Sequence, residues 1–304
     1  MLSLVTRRLV RLVVVLAGVS LVTFSILQAS GDPVALMMPE APEADRIALR
    51  LSMGFDDPLP VQFGRFVGNI VRGDFGQSFF HRAPALPLVL ERMPTTLLLT
   101  MGAMVLSLAI ALPIGIISAI RRASLLDHGT TFVVFLGTSM PVFWTGIMLI
   151  LLFAVRLRVL PVSGWESWAA LVLPVLTLAT ASTPLLLRLV RSGMLEVVNL
   201  DYVRTARAKG VSEWLVVCRH ALVNAALPLV TVAGLQFGLL LGGAIVTETV
   251  FAVPGVGRLI VGAIRQLDFP IVQAGVFFLA LIVVLVNFAV DLLYVYLNPQ
   301  VRVR

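Results

Sequence analysis

The sequence predicts an all-α membrane protein of six transmembrane helices, with a long extracytoplasmic loop subdomain after the first. Three observations lead there. Of 304 residues, 59% are hydrophobic and 13% charged, whereas soluble domains carry about 25% charged residues. Six uncharged or nearly uncharged stretches reach the length of about 20 residues at which a helix spans the hydrocarbon core and satisfies its own backbone. The short alternating segments that a transmembrane barrel requires do not occur.

The first stretch, 9–28, follows Arg7 and Arg8 and contains Arg11, near enough to its end to snorkel. Its apolar core is longer than that of a cleaved signal, so a signal anchor is expected. Residues 29–94 then form a loop too long to be a turn, holding Pro33, Pro39, Pro42, Pro58, Pro60, Pro84 and Pro87 and a short amphipathic helix near Glu43–Met53. Loops of this length usually serve a function. The remainder, 95–304, reads as a five-helix core with spans at 95–120, 129–155, 169–187, 225–247 and 269–297. Pro113, Pro141, Pro174 and Pro184 lie inside these spans. Each removes a backbone hydrogen bond and kinks its helix, either as an ordinary membrane proline or to line a moving pathway.

A net charge of +7 and a pI near 10.9 would suit a nucleic-acid partner. A positive-inside membrane protein needs the same balance, and the spans decide for lipid and against nucleic acid. With the N-terminus inside, the cytoplasmic segments hold Arg7, Arg8, Arg11, Arg121, Arg122, Arg188, Arg191, Arg204, Arg207, Lys209, Arg219, Arg302 and Arg304. These face only Asp127, Glu196, Asp201 and Glu213, whereas carboxylates outnumber arginines in the long external loop. Both termini are therefore expected in the cytoplasm. The single cysteine, Cys218, excludes an intrachain disulfide framework.

The cytoplasmic loop 191–224 carries the most local information. Asp201 is expected to N-cap a helix from Tyr202, with Arg207 and Lys209 in its last turn, where cations complement the dipole. Gly210 follows at the position where a left-handed conformation suits glycine. Ser212 is expected to cap a second short helix, with Glu213 in its first turn and Arg219 and His220 near its end. Trp214, Leu215, Val217, Cys218, Ala221 and Leu222 give that helix an apolar face. Such a pair could dock a soluble partner or lie on lipid headgroups, and the residues alone leave both open.

Ala206, Gly210 and Leu222 keep the spacing of the loop that permeases of ABC importers present to their ATPases. The string Tyr202-Val-Arg-Thr-Ala-Arg-Ala-Lys-Gly210 resembles its variant in the dipeptide, oligopeptide and nickel permease family. Arg204 replaces the glutamate of the general motif, and its closing proline is displaced to Pro228, as in the peptide branch. Further strings resemble that branch: Arg72-Gly-Asp-Phe-Gly-Gln-Ser78, Leu160-Pro-Val-Ser-Gly164, Glu248-Thr-Val-Phe-Ala-Val-Pro-Gly-Val-Gly-Arg258, Asp268-Phe-Pro270, and Asn287, Asp291 and Tyr294. The tail departs from it, with Asn298 where an acid is expected and Gln300 after Pro299.

The resemblance implies a type I ABC importer permease, non-catalytic, that pairs with a second related permease and with two cytoplasmic ATPase subunits. An extracytoplasmic binding protein would deliver a peptide, or alternatively nickel or another small solute. ATP and Mg would sit on the ATPases, leaving this chain without a cofactor. The coupling residues implied are Tyr202, Arg204, Thr205, Ala206, Arg207, Lys209, Gly210, Ser212, Glu213 and Trp214. Glu248, Phe251, Pro254 and Asp268 are implied at the translocation pathway or an extracytoplasmic gate.

No Gly-x-x-x-x-Gly-Lys-[Ser/Thr] loop exists, so the chain itself is no P-loop ATPase. His81, His128 and His220 are scattered, and no metal site or catalytic residue is expected. The rival class is an ion-coupled transporter, which keeps ionisable groups near midplane. Only Asp291 and Glu248 are candidates for that. Asp291 is closer to an interfacial position, and Glu248 is expected to brace the Pro254–Gly257 turn through backbone bonds.

Overall fold

A computed structural model describes residues 2–30, 34 and 40–297. Pro33, Pro39, Asn298, Pro299, Gln300, Arg302 and Arg304 lie outside the described residues. Within them the chain is helical, with one isolated bridge between Gln77 and Pro84. The elements are α1 (Leu2–Ser30), α2 (Glu43–Met53), α3 (Leu59–Val71), α4 (Ala85–Ile120), α5 (Leu125–Ser139), α6 (Val142–Leu149), α7 (Trp168–Val197), α8 (Asp201–Ala208), α9 (Glu213–Leu215), α10 (Leu222–Val250), α11 (Val256–Arg265) and α12 (Phe269–Leu297). A π-helical segment, Ile150–Arg156, continues α6, and another, Val216–Ala221, joins α9 to α10.

Five helical segments are long and apolar enough to cross a membrane: Val10–Ser30, Ala85–Ile120, Trp168–Val197, Pro228–Val250 and Phe269–Tyr294. The third expected span is instead two helices, broken at Met140 and Pro141 and bent by 106°. Pro141 removes a donor and forces its predecessor out of the helical region, and Met140 is extended at φ −92°, ψ 126°. Counting the pair as one broken crossing gives the six expected. By contrast Pro174 and Pro184 sit inside α7, and Pro228, expected to close the cytoplasmic loop, sits inside α10. The helix α4 starts at Ala85, earlier than the expected span, because Pro84 and Pro87 fall at its first turn, where proline is tolerated.

The chain divides into two compact units, Met1–Thr96 with Pro254–Val284, and Leu97–Val253 with Leu285–Arg304. In the first, α3 lies against α1, with Phe24 5.4 Å from Phe63 and 5.9 Å from Phe66 between ring centroids. In the second, α7 is the central helix, packed on by α5, α6 and α10. It buries Leu173, Leu178, Leu186, Leu187, Val190 and Met194. At Gly115 of α4 a Cβ would stand 2.8 Å from Val190, so glycine is what lets the two backbones approach. Many large apolar side chains stay exposed on these helices, among them Val13, Val22, Met101, Val105, Leu239 and Leu285, the surface expected of helices that face lipid.

Candidate functional site

The loop 191–224 folds as a two-helix knuckle with its own small core. Val203 and Ala206 of α8 and Val216 beyond α9 are buried together, with Val197 and Val211 packed on them. The C-terminal turn of α8 reaches Lys209, and Gly210 takes φ 75°, the left-handed conformation expected there. Asp201 is not the cap. Leu200 holds that position, its carbonyl accepting from the N–H groups of Val203 and Arg204 at 3.0 and 3.1 Å, and Asp201 is the first helical residue. Its carboxylate still lies in the first turn, where it complements the helix dipole. Ser212 does hold the next cap position, through its backbone carbonyl to Val216 N–H at 3.0 Å and without a side-chain bond. The second helix is not short: it runs through the π-helical turn into α10.

Arg207 and Glu213 clamp the two arms of the knuckle, with Nη2 and Nε donating to the carboxylate at 2.8 and 3.1 Å. Arg207 Nη1 also donates to the carbonyl of Val198 at 3.2 Å, and Asn224 donates to the Tyr202 hydroxyl at 2.9 Å. The remaining candidates point outward. Tyr202, Arg204, Thr205, Lys209, Ser212 and Trp214 are exposed, Trp214 at 76%. The expected apolar face therefore splits: Val217 and Ala221 are buried, and Trp214 and Leu215 are not, because the π-helical turn rotates the face within one segment.

The Arg207 hydrogen bonds hold the Glu213 carboxyl below the usual range, against a smaller opposing effect of burial, and the charge of Arg207 adds to the lowering. A depressed carboxyl contributes stability that is present above the unfolded pKa of about 4.3 and lost as pH falls through the folded value. Both groups are substantially exposed, so the contribution is below about 1 kcal/mol. We expect Trp214 emission, read with Trp144, Trp165 and Trp168 replaced by Phe, to be flat from pH 6 to 8. It should shift only below about pH 4, and Glu213→Gln should abolish that shift. A transition near pH 6 would refute the assignment.

Above the knuckle lies a pair that the sequence did not single out. Asp127 of α5, nearly buried, accepts from Arg191 of α7 at 2.6 Å (Nε to Oδ1) and 2.9 Å (Nη2 to Oδ2). Ser118 Oγ donates to the same carboxylate at 2.5 Å and Ala123 N–H at 3.0 Å. Ala123 has φ 59°. The carboxylate thus holds a left-handed residue in the α4–α5 turn and ties that turn to the end of α7 that leads into α8. Arg191 reads as a loop charge because span 169–187 ends before it, but α7 runs on to Val197. The one available signal was a carboxylate beside Ser124 in a strongly basic set.

Of the four residues expected at the outer side, Glu248 and Phe251 belong to one unit and Pro254 and Asp268 to the other. Glu248 is fully buried in α10, and its carbonyl accepts from Val253 N–H at 2.9 Å, closing the turn after the helix. Phe251 is buried with Leu173 and Val253, against Leu160 and Trp165. Asp268, also fully buried, accepts from Ser78 Oγ and from the N–H groups of Phe79 and Phe80 at 3.2 and 3.3 Å. This fixes the loop string 72–78: Gly73 and Gly76 have φ 77° and 82°, and Phe75 packs 5.4 Å from Phe277. Pro254 is half-buried and lines a cavity beside α11.

Helices α5, α6 and α10 packed on α7, with a built and partly exposed knuckle between α7 and α10, give the arrangement expected of a multi-pass permease of the type I ABC importer class. Residues 111–303 match the family model described as binding-protein-dependent transport system inner membrane component, and residues 1–100 match that of its N-terminal part. The chain belongs to this family of inner-membrane transport components. It is 41% identical over 334 residues to the di/tripeptide transport system permease protein DppB of Pseudomonas aeruginosa (strain UCBPP-PA14), covering 99% of each chain. It is 42% identical over 307 residues to the glutathione transport system permease protein GsiC of Salmonella paratyphi A, covering 100% of each. The fold matches a chain of the inward-facing MetNI methionine ABC transporter with a TM-score of 0.55 and 21% identity, over 69% of this chain and 96% of that one.

Proposed function

We propose that this chain pairs with a second, related permease to form the passage for short peptides, and that two cytoplasmic ATPases drive it through the α8–α9 knuckle. An extracytoplasmic binding protein delivers the peptide, and the loop 29–94 helps to receive it. Both termini lie in the cytoplasm. The chain performs no catalysis and binds no cofactor of its own; ATP and Mg belong to the ATPases. The carrying observation is the division of the knuckle: Val203, Ala206, Arg207 and Glu213 build its interior and clamp, leaving Tyr202, Arg204, Lys209 and Trp214 exposed. Aromatic and arginine side chains on a rigid helical knob are what protein interfaces select. ATP would shift the permease pair between inward- and outward-facing packings because it binds one arrangement better than the other. Around Glu248, Phe251 and Asp268 the buried contacts brace the outer turns and leave the passage to other side chains.

The test is ATPase activity of the four-subunit complex in proteoliposomes with its binding protein. Di- and tripeptides should stimulate it several-fold, and free amino acids or nickel should not. Stimulation by nickel alone would overturn the peptide reading, and ATPase subunits that fail to bind a complex carrying Trp214→Ala and Arg204→Ala would support the knuckle as their dock.

A further inference from the structure

We propose that the cavity between the outer ends of α4 and α11 is a carboxylate site that holds the C-terminus of a peptide in transit. The inference rests on the peptide reading above. The cavity has a volume of about 320 Å³, at the small end of the range for ligand pockets. Its wall includes His81, Arg92, Pro254, Gly255, Arg258 and Gln266 and, among the described residues, no carboxylate side chain. Two guanidiniums match a carboxylate with paired N–H donors.

The donors come from three separate segments, and buried bonds hold the backbone of each segment. Val256 N–H donates to Thr96 Oγ1 at 2.9 Å. Thr96 lies one helical turn after Arg92, and Val256 lies two residues before Arg258, so this bond joins the backbone segments that carry the two arginines. His81 belongs to the turn that buried Asp268 holds through Ser78, and His81 N–H donates to Ser78 Oγ at 2.9 Å. Segments held in place before the ligand arrives keep the two arginines at one cavity and limit the ordering that binding costs. Every linear peptide with a free C-terminus presents the same carboxylate whatever its sequence, so such a site grips the cargo without reading its side chains. A concave cavity of this size suits a chain end rather than a flat docking surface.

The experiment uses the four-subunit complex in nanodiscs of zwitterionic lipid, first without binding protein, and titrates it with trialanine and with trialanine amide. The wild type should bind the acid at least tenfold more tightly than the amide. In the Arg92→Gln/Arg258→Gln variant that preference should vanish, and Arg92→Lys/Arg258→Lys should retain part of it. Basal ATPase activity equal to wild type shows that each complex is assembled. No preference in the wild type, or an unchanged preference in the glutamine variant, overturns the site. If the variant loses binding-protein stimulation equally with acid and amide, the cavity takes an acidic side chain of the binding protein and the proposal fails. If trialanine is not transported by wild-type proteoliposomes at all, the peptide reading fails instead, which separates the two.

Discussion

Asp127→Ala should lower the stability of the detergent-solubilised permease by about 3 kcal/mol, read as a fall in thermal midpoint. The cost follows from what is left behind. Arg191 would keep its charge against a largely buried wall with no counter-ion, Ser118 would lose its acceptor, and Ala123 would lose the bond that holds its left-handed backbone. Removing one member of a buried pair costs about 3–5 kcal/mol, and the lower end applies because the Arg191 side chain is 29% exposed. Replacing both partners with apolar groups of similar volume removes the stranded charge. The double variant Asp127→Leu/Arg191→Met should therefore recover most of the loss. If the double variant is as unstable as the sum of the two single changes, the pair is not the source. Because the pair joins the α4–α5 turn to the helix leading into the knuckle, Asp127→Ala complexes should also hydrolyse ATP with reduced uptake per ATP.

Gly210→Val should uncouple ATP hydrolysis from peptide uptake. The position has φ 75°, and nothing lies within 4 Å of where a Cβ would stand, so the effect isolates backbone strain from crowding. A β-branched residue in the left-handed region costs roughly 1–3 kcal/mol. Every 1.4 kcal/mol is a factor of about ten in the population of the correctly formed knuckle. Uptake per ATP in proteoliposomes should fall about tenfold while ATPase activity persists. Gly210→Asn, which tolerates the left-handed region, should retain most of the coupling. Full uptake by the valine variant would show that the knuckle does not need this turn.

How much of this was legible varies with the range of the interaction. The crossing helices were readable because lipid selects long apolar runs, and Gly210 because a left-handed residue after a basic last turn is a local signal. The helix Glu43–Met53 was legible from its amphipathic pattern. The 106° break at Pro141 was readable as a kink but not as a break: sequence names the lost donor and leaves the size of the bend to packing. Asp201 was placed one residue wrong because side-chain preference suggested a cap that Leu200 fills through its carbonyl alone.

The sequence by itself determined that this is a polytopic membrane protein with a glycine-broken loop between its fourth and fifth apolar stretches, since hydropathy and turn chemistry act over a few neighbouring residues. Only the tertiary structure decided which charges meet. Asp127 and Arg191 are 64 residues apart, Thr96 and Val256 are 160 apart, and Ser78 and Asp268 are 190 apart. A charge read alone counts toward topology. Brought against a partner in a low-dielectric interior it becomes a lock, and two arginines gathered around one cavity become a site.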